Sequence, residues 1–440
     1  MGTALLTDKY EFTMVQAALA NGTAQRKCVF ELFTRRLPSW RRYGVVAGTG
    51  RFLEELAELT FTATEIDFLH KEGVLNDETL DFLRDYRFEG NISGYAEGEI
   101  YFPHSPVMIV ESSFAQGVVL ETLALSILNY DSAIASAASR MTSAAGGRPC
   151  LDMGARRAHE MGAVSAARAA VIGGFTGTSN YEAARLYNIP AIGTAAHAFT
   201  LLHDSEEEAF AAQVESLGVD TTLLVDTYDV TKGVETAVKV AGPRLGAVRL
   251  DSGDLAVQAI EVRKQLDALG ANDTKITVTS DLDEYAIAAL SAAPVDSYGV
   301  GTKLVTGSGA PTSSMVYKLV QRENSSGVMD SVAKASVAKA SVGGHKTAAR
   351  ELNAKGTATA EVIAVGSAPA REQWLESSNN LRPLLVPLVT EGVVDATWTG
   401  VQGLAKAVDR HAASREELPR NALRLSTGEV AIPTETRVLD

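Results

Sequence analysis

The sequence predicts an α/β fold built on a parallel sheet, arranged more like a barrel than an open sheet. Three observations predict it. In the middle of the chain, short apolar runs end in small or polar residues, and each is followed by a helical pattern. The alternation recurs at roughly 20–35-residue spacing over six or seven units, the signature of consecutive βαβ units. The apolar runs, such as TTLLVD at 221–226, are continuous rather than alternating, as strands covered on both faces must be.

The elements follow in order. Residues 1–130 mix an early helix, a β-rich stretch (90–113) and a helix at 117–139. The GVVAGTGR run (44–51) lacks the third glycine of a dinucleotide fingerprint and reads as a tight turn before a helix. Strand-like CLDMGARR (150–157) precedes helical AHEMGAVSAARAA, and AVIGGFTGTSN (170–180) precedes YEAARLYN. IPAIGTAAHAF (189–199) begins as a strand and leads to DSEEEAFAAQVESLG. TTLLVDTYD (221–229), GAVRLDSGD (246–254) and KITVTSD (275–281) each precede a helix, and DSYGVGTKLVT (296–306) closes the series. Residues 315–440 are again β-like and turn-rich, with the tandem repeat SVAKASVAKASV (331–342), which reads as a surface hairpin or loop. The expected division is 1–140, 141–314 and 315–440, with the flanks differing in character from the middle segment.

Composition limits the function. The 440 residues are 46% hydrophobic and 21% charged, with a formal net charge of −14. That charge disfavours nucleic acid as a partner, so any phosphate must be bound by local groups. No run of about 18 apolar residues is free of charge, so no transmembrane helix and no membrane partner are expected. The start MGTALLTDKYEF has neither the basic nor the apolar region of a signal peptide. Two cysteines, Cys28 and Cys150, lie outside any C-x-x-C and suit a reducing cytoplasm better than structural zinc.

Chemistry concentrates at the strand ends, where α/β barrels carry their reactive loops. Those ends read Arg156-Arg157, Thr178-Ser179-Asn180, His197, Asp226 and Asp229, Arg249 with Asp251 and Asp254, Ser280-Asp281, and Gly301-Thr302-Lys303. Each suits a phosphorylated anion. GVGTKLVTGSG (299–309) offers bare backbone N–H groups and the hydroxyls of Thr302 and Thr306. Asp251 and Asp254, with Asp226 and Asp229, can hold Mg²⁺ against a pyrophosphate, or can simply cap the helices that follow. Arg156 and Arg249 can grip anionic oxygens bidentately. His197 is a core histidine, an acid/base or a nucleophile. Its neighbours Gly193, Ala195 and Ala196 leave room for a ligand.

The motifs LLTDKYEFTM, DMGARR, FTGTSN, GTAAHAF, LVDTYD, RLDSGDL and YGVGTKLVT stand in the order found in nicotinate phosphoribosyltransferases. The chain resembles that family from Leu5 to about Tyr317, with VGGHKTAARE (342–351) as a fainter continuation. The resemblance implies an incomplete, funnel-like (β/α) barrel of parallel strands, with a second mixed α+β domain built from the N- and C-terminal segments. It implies synthesis of nicotinate mononucleotide and pyrophosphate from nicotinate and phosphoribosyl pyrophosphate, with ATP hydrolysis coupled through a phosphohistidine. Mg²⁺ as cofactor, a homodimer with shared sites and a cytoplasmic location are expected with it. Carried over, the phosphohistidine is His197, and Asp226 orients its ring. Asp251 contacts the ribose or the metal-bound pyrophosphate, with Asp254 as a second metal ligand. Gly299, Gly301 and Thr302 hold the 5′-phosphate, and Tyr10 of the partner subunit stacks on the pyridine ring.

Two positions depart from the family pattern. Met153 stands where a phenylalanine commonly lies under the ring, and Asp281 where a glycine follows the serine, which unsettles the role of Ser280. Ser179 stands where amide-using relatives carry an aspartate; it can donate to a carboxylate, or merely cap the next helix. The competing readings are a nicotinamide or quinolinate phosphoribosyltransferase, a silent ligand-binding relative, and a barrel aldolase or lyase. The last needs a Schiff-base lysine, for which Lys303 is the candidate.

Overall fold

The computed structural model describes residues 2–334 and 342–439. The chain divides into two compact units, one of Met1–Ser136 with Ala310–Asp440 and one of Ala137–Gly309. Most of the SVAKA repeat, residues 335–341, lies outside the described residues.

The first unit is mixed α+β. A seven-stranded antiparallel sheet runs Met329–Ser331, Met315–Glu323, Lys27–Thr34, Met108–Ser113, Asn91–Tyr95, Leu385–Thr390 and Val393–Val394. Three strands from the N-terminal segment therefore sit together in the sheet, flanked on each side by two from the C-terminal segment. The central Lys27–Thr34 strand is buried at every residue after Lys27, so its KCVFELFT run is apolar on both faces except for Glu31. Glu31 is tolerated because the Lys346 ammonium, from the second sheet of this unit, pairs with it in the interior. The surrounding helices show ordinary stop and start chemistry. Ala63–Glu72 opens on a reciprocal Thr62–Glu65 capping box and closes at Gly73, whose φ of +67° favours glycine.

One helical stretch, Phe114–Ala145, is long and apolar enough to cross a membrane by length and composition, which the composition alone had not led us to expect. Two thirds of its most apolar window, 67%, is buried in the protein, and within the first unit the Ser132 and Ser136 hydroxyls accept the Ala47 and Val45 N–H groups. Packing accounts for its apolarity.

The second unit carries six parallel strands in the order Gly177–Thr178, Cys150–Asp152, Ser297–Val300, Lys275–Val278, Ala247–Leu250 and Thr222–Leu224. A lone parallel bridge from Thr178 to Ala191 adds a seventh position outside the first strand. Read around the sheet from Thr222 backwards, every neighbour is the next strand in the sequence or closes the ring from 297 to 150. The ring is left open between Ala191 and Thr222. This is the incomplete barrel of the family resemblance, a half-barrel with its gap at the histidine segment. IPAIG forms no full strand there; it contributes one bridge.

Candidate active site

The C-terminal ends of these parallel strands open onto one cleft of about 590 Å³. Behind Cys150–Asp152, the chain turns through Met153 and Gly154 into a single 3-10 turn, Ala155–Arg157. Gly154 is required, since a Cβ there would lie 2.3 Å from a Val305 methyl. Arg156 and Arg157 are exposed on the cleft wall and make no side-chain hydrogen bond or ion pair among the described residues. Their charge is available to an anion.

Ser179 lines the cleft after the Gly177–Thr178 strand. It is not the helix cap: Asn180 is, accepting the Ala183 N–H at 3.0 Å. The Ser179 hydroxyl makes no hydrogen bond to the described residues and is free for a ligand.

His197 is the first residue of a short helix, His197–Leu202, just past the gap in the barrel. Its side chain is 38% exposed, so it is no core histidine. Nδ1 lies 3.1 Å from the Thr227 hydroxyl. Nε2 lies 3.7 Å from an Asp251 oxygen and 3.9 Å from Asp226 Oδ1. The Asp226 side chain is only 2% exposed and stands behind the cleft wall. Its Oδ2 accepts the Asp251 N–H at 2.8 Å and the Ser252 hydroxyl at 2.9 Å. Its Oδ1 is buried with no hydrogen-bond partner, on the side facing the imidazole. A buried carboxylate oxygen left open beside a histidine can meet positive charge on the ring.

Arg249, expected to grip an anion, is largely engaged in holding the histidine loop. Its Nη1 donates to Thr194 Oγ1 at 2.6 Å and to the Ala195 carbonyl at 3.2 Å, while Nη2 lies 4.0 Å from Asp251. Burial pulls its pKa down, and Asp251 and Asp226 act against that. Asp251 also accepts the Thr279 hydroxyl, so it touches three sides of the cleft. Ser280 and Asp281 line the wall beyond Thr279, and Ser280 has a φ of +127°, a strained conformation for a residue with a Cβ. Gly299 forms the floor: a Cβ there would meet Thr279 at 2.5 Å and the Met153 sulfur at 2.6 Å. Met153 thus packs its thioether where the family resemblance places a ring. Gly301 and Thr302 complete the lining.

Of the expected residues, the cleft brings together Met153, Arg156, Ser179, His197, Arg249, Asp251, Ser280, Gly299, Gly301 and Thr302, with Asp226 behind them. Asp254 is not on its wall; its carboxylate caps the Leu255–Ala268 helix, as Asp229 caps Val230–Ala241. Tyr10 belongs to the other unit, where it is 44% exposed. Lys303 does not line the cleft, so the aldolase reading lacks its lysine. Both cysteines are free and buried, and burial pushes the Cys150 thiol up to about 12, far from a thiolate at neutral pH. Thr194, Thr227 and Thr279 were missed in the sequence. Thr227 had a signal, since it sits inside the DTYD run between two candidate aspartates.

Comparison with known proteins places these motifs. Residues 5–129 match the profile of the nicotinate phosphoribosyltransferase (NAPRTase) N-terminal domain, and residues 149–363 that of the nicotinate phosphoribosyltransferase (NAPRTase) family. The chain is 54% identical to nicotinate phosphoribosyltransferase pncB1 of Mycobacterium tuberculosis, covering 98% of this chain and 95% of that protein. It is 39% identical to the Bacillus subtilis nicotinate phosphoribosyltransferase, over 74% of this chain and 69% of that one. The fold is similar to that of human nicotinic acid phosphoribosyltransferase, with a TM-score of 0.81 over 98% of this chain and 97% of that one at 24% identity. With profile matches over both flank and barrel and a relative above half identity along nearly its whole length, the chain belongs to the nicotinate phosphoribosyltransferase family.

Proposed function

We propose that this protein joins nicotinate to phosphoribosyl pyrophosphate, releasing nicotinate mononucleotide and pyrophosphate for NAD biosynthesis, and couples the step to ATP hydrolysis through a phosphohistidine at His197. The observation that carries the ATP part is His197 itself: half-open to the cleft, with a hydroxyl on Nδ1 and two carboxylates near Nε2. Those carboxylates favour the proton on Nε2, which leaves the Nδ1 lone pair to accept from Thr227 in the resting ring. For phosphoryl transfer, a bond forms between a ring nitrogen and the γ-phosphorus as the bond to ADP breaks. The positive charge this leaves on the ring is met by Asp226 and Asp251. Water later cleaves the N–P bond.

In the transferase step, the pyridine nitrogen attacks the anomeric carbon with its own lone pair, and the C–O bond to pyrophosphate breaks. No base is needed. Negative charge grows on the departing pyrophosphate, where Arg156 and Arg157 are free to meet it. Gly301 and Thr302 leave bare backbone for the 5′-phosphate. The donor set fits a magnesium ion that arrives on the substrate. Among the described residues no group of three His, Cys, Asp or Glu side chains is placed to hold a metal, but Asp251 offers one carboxylate, and Mg²⁺ is commonly held by one or two carboxylates with substrate phosphates and water. Held there by Asp251, it would neutralise charge on the leaving group. Asp254, turned to its helix cap, is the weaker candidate ligand.

The free Ser179 hydroxyl favours the acid over the amide as substrate. We also infer a homodimer in which Tyr10 of the partner subunit covers the pyridine ring. Tyr10 is exposed in the single chain, and desolvation with neighbouring Glu121 pushes its pKa up to about 12, which keeps the phenol neutral for stacking. The test is pyrophosphate release from nicotinate and phosphoribosyl pyrophosphate, with and without ATP. γ-Labelled ATP should leave an acid-labile, base-stable phosphoprotein that His197→Ala abolishes. Label that persists in that variant refutes the histidine assignment.

A further inference from the structure

Ser179 is held in place by something other than its own side chain. Behind the cleft wall lies Asp152, 1% exposed, at the end of the Cys150–Asp152 strand and beside Thr178 in the sheet. Its Oδ1 accepts the Gly154 N–H at 2.8 Å, and its Oδ2 accepts the Thr178 hydroxyl at 2.6 Å. The Thr178 oxygen in turn accepts the Asn180 N–H at 3.0 Å. The Asp152 carbonyl accepts the Ser179 N–H at 2.8 Å. One residue therefore ties down the turn that carries Met153 and Arg156 and the turn that presents Ser179.

The carboxylate comes at a cost, set against the two bonds it accepts. No lysine, arginine or histidine pairs with Asp152 among the described residues, and an unpaired buried carboxylate is costly. Burial pushes its pKa up, and the bonds from Thr178 and Gly154 oppose that. An apolar residue would avoid burying a charge but would leave the Gly154 N–H and the Thr178 hydroxyl without an acceptor and free both turns.

We propose that Asp152 is a positioning residue for acid recognition: through Thr178, it fixes the Ser179 hydroxyl at the distance and angle that read the substrate carboxylate. This rests on the nicotinate reading above. Its sign separates it from a plain charge effect. Removing a negative charge behind an anion site should tighten nicotinate binding. Removing a positioning group should weaken it. An asparagine at 152 cannot accept from both Gly154 and Thr178, because its amide nitrogen donates. It must give up one turn or donate to the Thr178 oxygen, and the Thr178 hydroxyl proton then loses the acceptor that fixes its direction.

The experiment measures KM for nicotinate and for phosphoribosyl pyrophosphate separately in Asp152→Asn, Thr178→Val, Thr178→Ser and the double Asp152→Asn/Thr178→Val, with thermal melts beside them. Loss of about one buried hydrogen bond predicts nicotinate KM up by about tenfold in Asp152→Asn and Thr178→Val. In Thr178→Val, which leaves the Asp152 bond to the Gly154 turn and Arg156 in place, the phosphoribosyl pyrophosphate KM should stay within about twofold, since Gly301 and Thr302 follow another strand, Ser297–Val300. Thr178→Ser keeps the hydroxyl and should recover most of the loss. The double variant should be no worse than the poorer single, because both cut one chain. Should Asp152→Asn fail to fold, the Thr178 pair decides alone. Unchanged or lower nicotinate KM in folded variants overturns the proposal, as does an equal rise in both constants in Thr178→Val. An unmodified protein that does not use nicotinate fails at the first assay, before any variant is made; that defeats the functional reading and takes this inference with it.

Discussion

If His197 is phosphorylated as proposed, replacing Asp226 by asparagine should suppress that phosphorylation while leaving the fold in place. The geometry says how. Asp226 Oδ2 accepts from the Asp251 N–H and the Ser252 hydroxyl, so the asparagine carbonyl must take that side. Its amide nitrogen then replaces Oδ1, 3.9 Å from His197 Nε2. A donor now faces that nitrogen while Asp251, 3.7 Å away, still favours its proton, so the preference for one tautomer weakens. The ring is no longer fixed by both carboxylates, and when charged it loses its buried counter-ion. Two unit charges about 4 Å apart at an effective dielectric near 20 interact by roughly 4 kcal/mol, and the 38% exposure of His197 makes that an upper limit. A loss of about 2–4 kcal/mol corresponds to roughly 30- to 1,000-fold. ATP hydrolysis and phosphoenzyme formation should fall by that factor in Asp226→Asn. Transfer measured without ATP should change by less than about threefold, since no step at the ribose uses the imidazole. The assays are quenched-flow labelling with γ-labelled ATP and pyrophosphate release with and without ATP. An Asp226→Asn protein with a normal melt and a phosphorylation rate within about threefold of the unmodified protein refutes the reasoning.

Ser179→Asp places a carboxylate against the substrate's own and should cut kcat/KM for nicotinate by at least about a hundredfold; equal turnover of acid and amide by the unmodified protein would remove the basis for it. A Tyr10→Ala chain mixed with a His197→Ala chain, each lacking ATP-coupled activity, should regain part of that ATP-coupled activity in hybrids if the sites are shared, and a fully active monomer at high dilution would rule that out. Glu11 is buried, and desolvation lifts its pKa from near 4.5 to about 6 against bonds from Thr122 and Thr7. A raised carboxyl pKa stabilises the fold below about pH 4.5 and loses that contribution as pH rises through 6, worth about 2 kcal/mol; Glu11→Gln should therefore show a smaller drop in urea midpoint from pH 4.5 to 7, and identical profiles would contradict it. Ser280→Gly relieves a φ of +127°. The strain is worth about 1–3 kcal/mol against about 0.5–1 kcal/mol of added chain entropy, so the urea midpoint should rise, and a fall would show the turn is not strained.

The two aspartate pairs show what the sequence could and could not say. In DTYD and DSGD, either carboxylate suits a helix cap and either suits a ligand. The structure divides the roles the same way in both: Asp229 and Asp254 cap, while Asp226 and Asp251 face the histidine. The cap sits where N3 of the coming helix can reach it, so the second aspartate of each pair was the legible cap once the helix start was known. Helix starts are uncertain by a residue or more in sequence, and here one residue decides the role. Ser179 shows the same limit, since a cap at Asn180 instead frees it. Arg249 was illegible for another reason. Its partners Thr194 and Ala195 lie more than fifty residues earlier, and only the sheet order brings strand 247–250 beside the loop they occupy. Tandem βαβ rhythm was readable because buried parallel strands carry it locally. The chain order of strands around an incomplete ring was not.

The gap in that ring explains the odd composition around His197. A full strand at 189–196 would pair with a neighbour on each side and bury its backbone in the sheet. Instead the segment makes a single bridge at Ala191 and then leaves the sheet, with Arg249 holding it through Thr194 and Ala195. Gly193 has nothing within 4 Å of where a Cβ would stand, so no tertiary contact demands glycine there, and its φ does not either. Small residues at this place serve the space beside them. With no strand on the Thr222 side of Ala191, the end of the loop can turn His197 toward Asp226 and Asp251, both of which lie at the far side of the gap. A closed barrel would put backbone hydrogen bonds where the imidazole meets its carboxylates. The missing strand is thus the structural condition for a histidine that can be reached by a phosphate from the cleft and by two carboxylates from across the opening.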